Sequence, residues 1–120
     1  MARAVVLIAD LLFGSRVQES LHAAGHEVEL VGGADELRDR LDGCDVLVVD
    51  LTDERLGGVE AVRALGEMCP RTLGFYSHVE VETRERAQQA GFDLVVPRSR
   101  MAREGGTLVS RLAAEAGDLP

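Results

Sequence analysis

The chain has 120 residues, room for one domain around one core, and a hydrophobic fraction of 46%, enough for burial to offset chain entropy. A net charge of −8, with no basic stripe interleaved with aromatics, argues against nucleic-acid binding. No apolar run approaches the roughly 18 residues of a membrane span and nothing resembles a signal peptide, so a cytoplasmic protein without membrane attachment is expected.

Residues 4–9, AVVLIA, are a short β-branched run that reads as a strand buried on both faces, ended by Asp10. Val17, Leu21 and Ala24 then recur at helical spacing until Gly25 stops the helix. EVELV, 27–31, alternates and reads as an edge strand. After the Gly32-Gly33 turn, Leu37 and Leu41 mark a short helix ending before Gly43. DVLVVDL, 45–51, is the strongest strand. A loop with Asp53, Glu54 and Arg55 follows, and then a helix with Val59, Val62 and Leu65 on one stripe. Pro70 closes that connection before the strand TLGFY, 72–76. Good helix formers fill 79–90, and Gly91 stops them. DLVV, 93–96, is the fifth strand, ended by Pro97. A last helix is expected after Gly105-Gly106, with Leu108, Leu112 and Ala116 inward.

Five strands alternating with five helices predict an α/β fold in which right-handed crossovers build a parallel sheet covered on both faces. The expected architecture is a three-layer, doubly wound, five-stranded parallel sheet of order 2-1-3-4-5, flavodoxin-like, spanning 1–120 as one domain. Ligand chemistry in such sheets lies beyond the carboxyl ends of the strands, at the switch point. That rule selects Asp10, Asp50, Ser77 and Arg98, which follow or end the first, third, fourth and fifth strands. Strands lie about 4.8 Å apart, so Asp10 and Asp50 on neighbouring strands could share a Mg²⁺ or a proton. The plainer role for each is to cap the helix or turn that follows.

The same residues carry a family resemblance over nearly the whole chain. VLIAD supplies an acid after the first strand (Asp10). DVLVVDLTDERLGG supplies Asp50 with Gly58 eight residues on. FYSH supplies Ser77, and AGFDLVVPR supplies Ala90-Gly91 with Arg98 seven residues later. This pattern resembles the bacterial response-regulator receivers, the CheY-like superfamily of two-component signal transduction and phosphorelay. The resemblance implies Asp50 as phospho-acceptor, Ser77 and Arg98 beside it, and Mg²⁺ held by Asp10 and Asp50. Departures accompany it. Leu11 stands where receivers carry a second acid, Arg98 where they carry Lys, Glu54 where Pro is usual, and Val95 at the aromatic switch position.

Phosphoryl transfer to a carboxylate rests on positioning and on charge neutralisation by metal and cation. Mg²⁺ requires oxygen ligands in octahedral geometry, and losing one acid weakens that site unless Asp53 or Glu54 substitutes. Arg98 keeps a charge but presents a wider planar fork than Lys, and it could pair permanently with Asp50. The expectation is therefore a stand-alone, degenerate pseudo-receiver, not an enzyme, that signals through protein contacts without efficient Asp phosphorylation. A true phospho-accepting regulator using Asp50 is the alternative. A flavin-, nucleotide- or anion-binding α/β protein is the alternative of another class and rests on fold analogy alone, because no Gly-rich phosphate loop follows the first strand. A stand-alone domain without an output domain is expected, with output by contact with another signalling protein. The resemblance places that surface at roughly 79–116, where a homodimer could also form.

Neighbouring Ser77 and His78 point to opposite strand faces, and no Gly-x-Ser-x-Gly elbow exists, which argues against a hydrolase. His78 is expected at the crevice rim, and His22 and His26 at the surface. PRSRMAR, 97–103, gathers Arg98, Arg100 and Arg103 with Ser99, either as an anion site or as solvated charge. Cys44 and Cys69 lack metal spacing and are expected as free thiols, although both sit at the amino ends of adjacent strands where they could approach each other.

Overall fold

The β-branched segments form strands where both sheet faces must be dry, and the amphipathic segments between them form the helices that dry those faces. The computed structural model describes residues 2–77 and 81–117. In chain order the elements are β1 (Arg3–Leu7), α1 (Leu11–Ala23), β2 (Glu27–Val31), α2 (Ala34–Arg40) and β3 (Val46–Asp50). They continue with α3 (Gly58–Leu65), β4 (Arg71–Tyr76), α4 (Val81–Gln89), β5 (Leu94–Pro97) and α5 (Arg98–Gly117). The five strands form one parallel sheet of order β2-β1-β3-β4-β5, as the alternation predicts. Among the described residues no helix is long and apolar enough to cross a membrane.

β3 is buried along its whole length and divides two apolar layers. Val46 and Val48 face α1 and α5, where they meet Phe13, Val17, Leu21, Met101 and Leu108. Leu47 and Val49 face the opposite layer, with Leu37, Val59, Val62 and Ala87. Each fully buried side chain of this size contributes about 1.5–3 kcal/mol relative to exposure, so the two layers together hold the sheet between its helices. Register places Leu7 beside Val49, Asp50 beside Phe75 and Phe75 beside Val96. The carboxyl ends of all four strands therefore reach one rim.

The last helix differs from expectation. Instead of starting after Gly105-Gly106, α5 begins at Arg98, directly after Pro97, and runs through the glycine pair. The glycines are there because α1 comes too close for a side chain. A Cβ on Gly106 would lie 2.5 Å from the Ser20 carbonyl oxygen and 2.7 Å from the Ala24 Cβ, and the Gly106 N–H donates to Ser20 Oγ at 3.1 Å. Pro97 is the last residue of β5, not a stop beyond it. The expected start of α4 at 79, the rim position of His78 and the inward face of Ala116 lie outside the described residues or side chains.

His22 is exposed as expected, but His26 is buried. Its Nδ1 accepts from the Ala2 N–H at 3.1 Å, and its Nε2 lies 2.8 Å from Ser110 Oγ, which donates to the Gly106 carbonyl. The imidazole thus bridges the start of β1 and α5. Its position just past the end of α1 predicts a surface residue. The close α1–α5 contact covers it.

Candidate functional site at the carboxyl rim of the sheet

All four residues selected from the sequence lie at this rim. Asp10 follows β1, Asp50 ends β3, Ser77 follows β4 and Arg98 follows β5. Asp10 and Arg98 bind each other, while Asp50 binds Thr52. Asp10 is the N-cap of α1, its Oδ1 accepting from the N–H groups of Leu12 (3.1 Å) and Phe13 (3.2 Å). Its other oxygen accepts from Arg98 Nη2 at 3.1 Å. The Arg98 guanidinium also lies over the Phe13 ring, 4.1 Å from its centroid, and Phe13 in turn contacts Phe75 at 5.2 Å. The Phe13 N–H, then those of Leu12 and the Arg98 charge, hold the Asp10 carboxyl below its ordinary range.

Asp50 is buried, 3% exposed. Its Oδ1 accepts from the Thr52 N–H at 2.8 Å and from the Thr52 hydroxyl. The carboxylate thus closes an Asx-type turn at the start of the loop. Among the described residues the carboxylate within ion-pair distance of Arg98 is Asp10, not Asp50, so the expected Asp50–Arg98 pair is not the one that forms. The reason is positional. Arg98 opens α5, which packs on α1, and the α1 cap is the acid it reaches first. Asp53 caps the short 3₁₀ turn Glu54–Leu56 and binds Arg55 through both oxygens, at 3.1 and 3.3 Å. The Arg55 side chain, then its amide, hold the Asp53 carboxyl low as well. Ser77 is partly buried at the end of β4.

These carboxylates do not fit a Mg²⁺ site in this arrangement. Asp10 and Asp53 each face a guanidinium, Asp50 accepts from Thr52 within its own loop, and among the described residues no three His, Cys, Asp or Glu side chains gather at one point. Gly58, eight residues after Asp50, has a packing role, since a Cβ there would lie 2.5 Å from Val49 Cγ1. Sequence reasoning missed Phe13, the platform under Arg98, and Thr52, which clamps Asp50. The Asp-x-Thr spacing was the available signal for Thr52. Nor does sequence reasoning anticipate that Leu11 and Leu12 stand 73% and 84% exposed at the start of α1.

Among the arginines of 97–103, Arg98 pairs with Asp10, half-buried Arg100 meets Glu104 at 3.3 Å, and exposed Arg103 meets Glu104 at 3.9 Å. At the rim, Asp53, Glu54, Glu60, Thr83 and Arg86 border a small hollow of ≈ 210 Å³. A hollow of ≈ 560 Å³ lies at the opposite, amino-terminal end of the strands, bordered by Cys44, Arg63, Cys69, Arg71 and Asp93. Both thiols there are free. Cys44 Sγ donates to the Val46 carbonyl at 3.2 Å, Cys69 Sγ pairs with Thr72 Oγ1 at 3.1 Å, and burial pushes both thiols up.

No protein-family model and no curated protein matches the sequence. Solved structures do match. The receiver domain of the Francisella response regulator 1452 superposes with a TM-score of 0.83 over 96% of this chain and 98% of its own, at 14% identity. A response regulator receiver domain protein from Clostridium thermocellum gives 0.83 over 96% of each chain, at 16% identity. The chain has the receiver fold. A third receiver-fold match, the beryllofluoride-activated DrrB receiver domain, gives 0.81 over 95% of this chain and 98% of that one, at 18% identity. Within the receiver fold, Asp50 stands at the end of the central strand and Arg98 directly after the last strand.

Proposed function

We propose that this receiver-fold chain is a non-enzymatic signalling module that acts by contact with another protein, with Asp50 held out of phosphoryl transfer. The observation that carries the reading is the commitment of Arg98. Its guanidinium is shared between Asp10 and the Phe13 ring, so the cation that would neutralise a phosphoryl oxygen is already neutralised. Asp50 meanwhile is closed over by Thr52. Phosphoryl transfer draws nearly all its catalysis from such positioned charge, and this arrangement leaves little of it for an incoming donor. The receiver resemblance puts the contact surface at roughly 79–116, the span that holds α4, β5 and most of α5.

A second reading, in which Asp50 accepts a phosphoryl group, is favoured by the fold comparisons. The matched chains are receiver domains, one of them activated by beryllofluoride. One experiment separates the two. The protein is mixed with Mg²⁺ and beryllofluoride and followed by backbone amide NMR, and intact mass is recorded after incubation with acetyl phosphate. The first reading expects no saturable shift around Asp50 and no phosphoryl adduct. A saturable response in the wild type that disappears in D50N establishes the second.

A further inference from the structure

α2 and α3 lie side by side over the sheet face that carries Leu47 and Val49, and they do not close on each other completely. Between them runs a hollow of ≈ 330 Å³. Its floor is apolar, formed by buried Leu37, Leu56 and Leu65. Its α3 wall is low, because half-buried Ala61 and exposed Ala64 stand where longer side chains would fill the space. The rim is charged. On α2, exposed Asp35, Glu36 and Asp39 outnumber Arg38, and among the described residues none of these four enters an ion pair. Arg40 of the same helix is held by Glu29. On α3, Glu60 is matched by Arg86 at 2.9 Å, and Arg63 borders the other hollow, at the amino end of the strands. The uncompensated charge beside the groove is therefore negative. An apolar floor with a charged rim is the anatomy of a contact site.

We infer that the α2–α3 groove is a docking site for a basic amphipathic helix of a partner protein. The groove lies outside the span 79–116 and uses neither Asp50 nor Arg98, so it is a second contact surface beyond the one proposed above. Both walls are helices, whose backbone groups bond internally and offer no strand edge to an extended peptide. A groove between two helices accepts a ridge of side chains from a third. α3 has eight residues and is about 12 Å long at roughly 1.5 Å per residue, so the groove spans about two turns of a docked helix. That length takes apolar side chains at i, i+3 or i+4, and i+7. Charge selects the occupant. Lys or Arg beside those apolar positions meets Asp35 and Asp39, which share one face of α2 at i, i+4 spacing. A second copy would set the same acids against each other, and a nucleic acid or an anionic membrane presents the wrong sign.

The test is a display selection on the full chain of helix-forming peptides about four turns long. They are randomised among Leu, Ile, Met and Phe on one face and among Lys, Arg, Asp and Glu elsewhere. Selected sequences are expected to carry an excess of Lys and Arg, and to shift the backbone amide NMR signals of 34–41 and 56–65. A64W fills the groove and should lower their affinity at least about tenfold. D35N/D39N keeps side-chain size while removing two charges and should lower affinity several-fold, whereas R38E should raise it several-fold. All four positions are exposed, and circular dichroism of each free variant checks that it is folded. The opposite signs for D35N/D39N and R38E keep the inference falsifiable if A64W disturbs the α2–α3 packing. An excess of Asp and Glu in the selected peptides, amide shifts confined to other elements, or full affinity in a folded A64W overturns it. So does a selection that yields no binder. A wild-type dimer in light scattering that A64W dissolves also overturns it, by making a second copy the occupant. D50N should bind the peptides as the wild type does, and loss of binding in D50N contradicts a surface that stands apart from Asp50.

Discussion

Arg98 Nη2 lies 3.1 Å from Asp10 Oδ2 while the same guanidinium covers the Phe13 ring, so one side chain joins the start of α5 to the cap of α1. Both partners are partly exposed, and an ion pair of that kind contributes little by itself. The ring contact adds about 0.5–1 kcal/mol. R98A is expected to lower the unfolding midpoint by a few degrees, and R98K by less, in thermal denaturation followed by circular dichroism. Asp10 carries the pH dependence. Its folded carboxyl titrates below the ordinary value of 3.8, so near that value the unfolded chain binds more protons and stability rises with pH. The contribution is fully present above the ordinary value and is lost as pH falls through the folded one. D10N keeps the cap, because Asn serves there as well as Asp, but removes the titration. Urea midpoints measured from about pH 2 to pH 6 should give a shallower acid limb for D10N than for the wild type, and D10A should be less stable than both at neutral pH. Parallel acid limbs for wild type and D10N would show that Asp10 does not carry this linkage.

The α5 glycines separate helix propensity from packing. Ala is the better helix former by about 1 kcal/mol, so on propensity alone both Gly-to-Ala changes stabilise. At Gly106 the new methyl would meet backbone, the Ser20 carbonyl at 2.5 Å, and α1 must move away. G106A is expected to destabilise by about 1–3 kcal/mol despite the propensity gain. At Gly105 the nearest atoms are the flexible ends of Met101 and Leu21, at 3.0 and 3.2 Å, so G105A should cost clearly less. Chemical denaturation of the two variants checks the order, and equal midpoints would contradict the close-packing account.

How much of this was readable in advance depends on whether a residue's role is set locally. The sheet order and the burial of 46–50 follow from β-branched runs at regular spacing, a pattern that tertiary contacts reinforce. The glycine pair misled because Gly ends a helix by its own conformational freedom but also admits a neighbouring helix, and only the α1–α5 distance decides between the two. His26 misled for the same reason, since Ser110 and the Ala2 amide that hold it are distant in sequence from it or hidden at a chain end. At the rim, the four polar positions were legible because strand ends are. The partner of Arg98 was not, because several acids share that rim and helix packing selects among them. The Thr52 clamp on Asp50 went unread although it is local and carries a signal in Asp-x-Thr, a turn pattern like the cap that Asp10 makes.

The two thiols give a prediction at alkaline pH. Burial raises both above the ordinary value of 9.0, so the folded chain keeps two protons that the unfolded chain gives up. Stability attributed to them is full below the unfolded thiol range and declines as pH rises through it, from about pH 8.5 upward. C44A/C69S is expected to weaken that decline in urea midpoints taken from about pH 7 to pH 10. The same burial should slow thiol labelling of the native protein, with two thiols per chain reacting freely in denaturant. Fast, stoichiometric labelling of the folded chain at neutral pH would contradict the protection.

Asp50 allows a structural role to be told apart from a chemical one. Its Oδ1 accepts two bonds from Thr52 while the residue is 3% exposed, and an amide oxygen can accept the same pair. D50N should therefore keep the turn and shift the thermal midpoint little. D50A leaves the Thr52 N–H and hydroxyl without their acceptor and is expected to cost about 1–3 kcal/mol. T52A, which removes the hydroxyl alone, should fall between them. If D50N instead destabilised the fold as much as D50A, the charge rather than the acceptor geometry would hold the loop, and a cation would have to lie within reach of Asp50. In that event the neutralising group withheld by the Arg98–Asp10 pair would be supplied from elsewhere, which is the condition phosphoryl transfer at Asp50 needs.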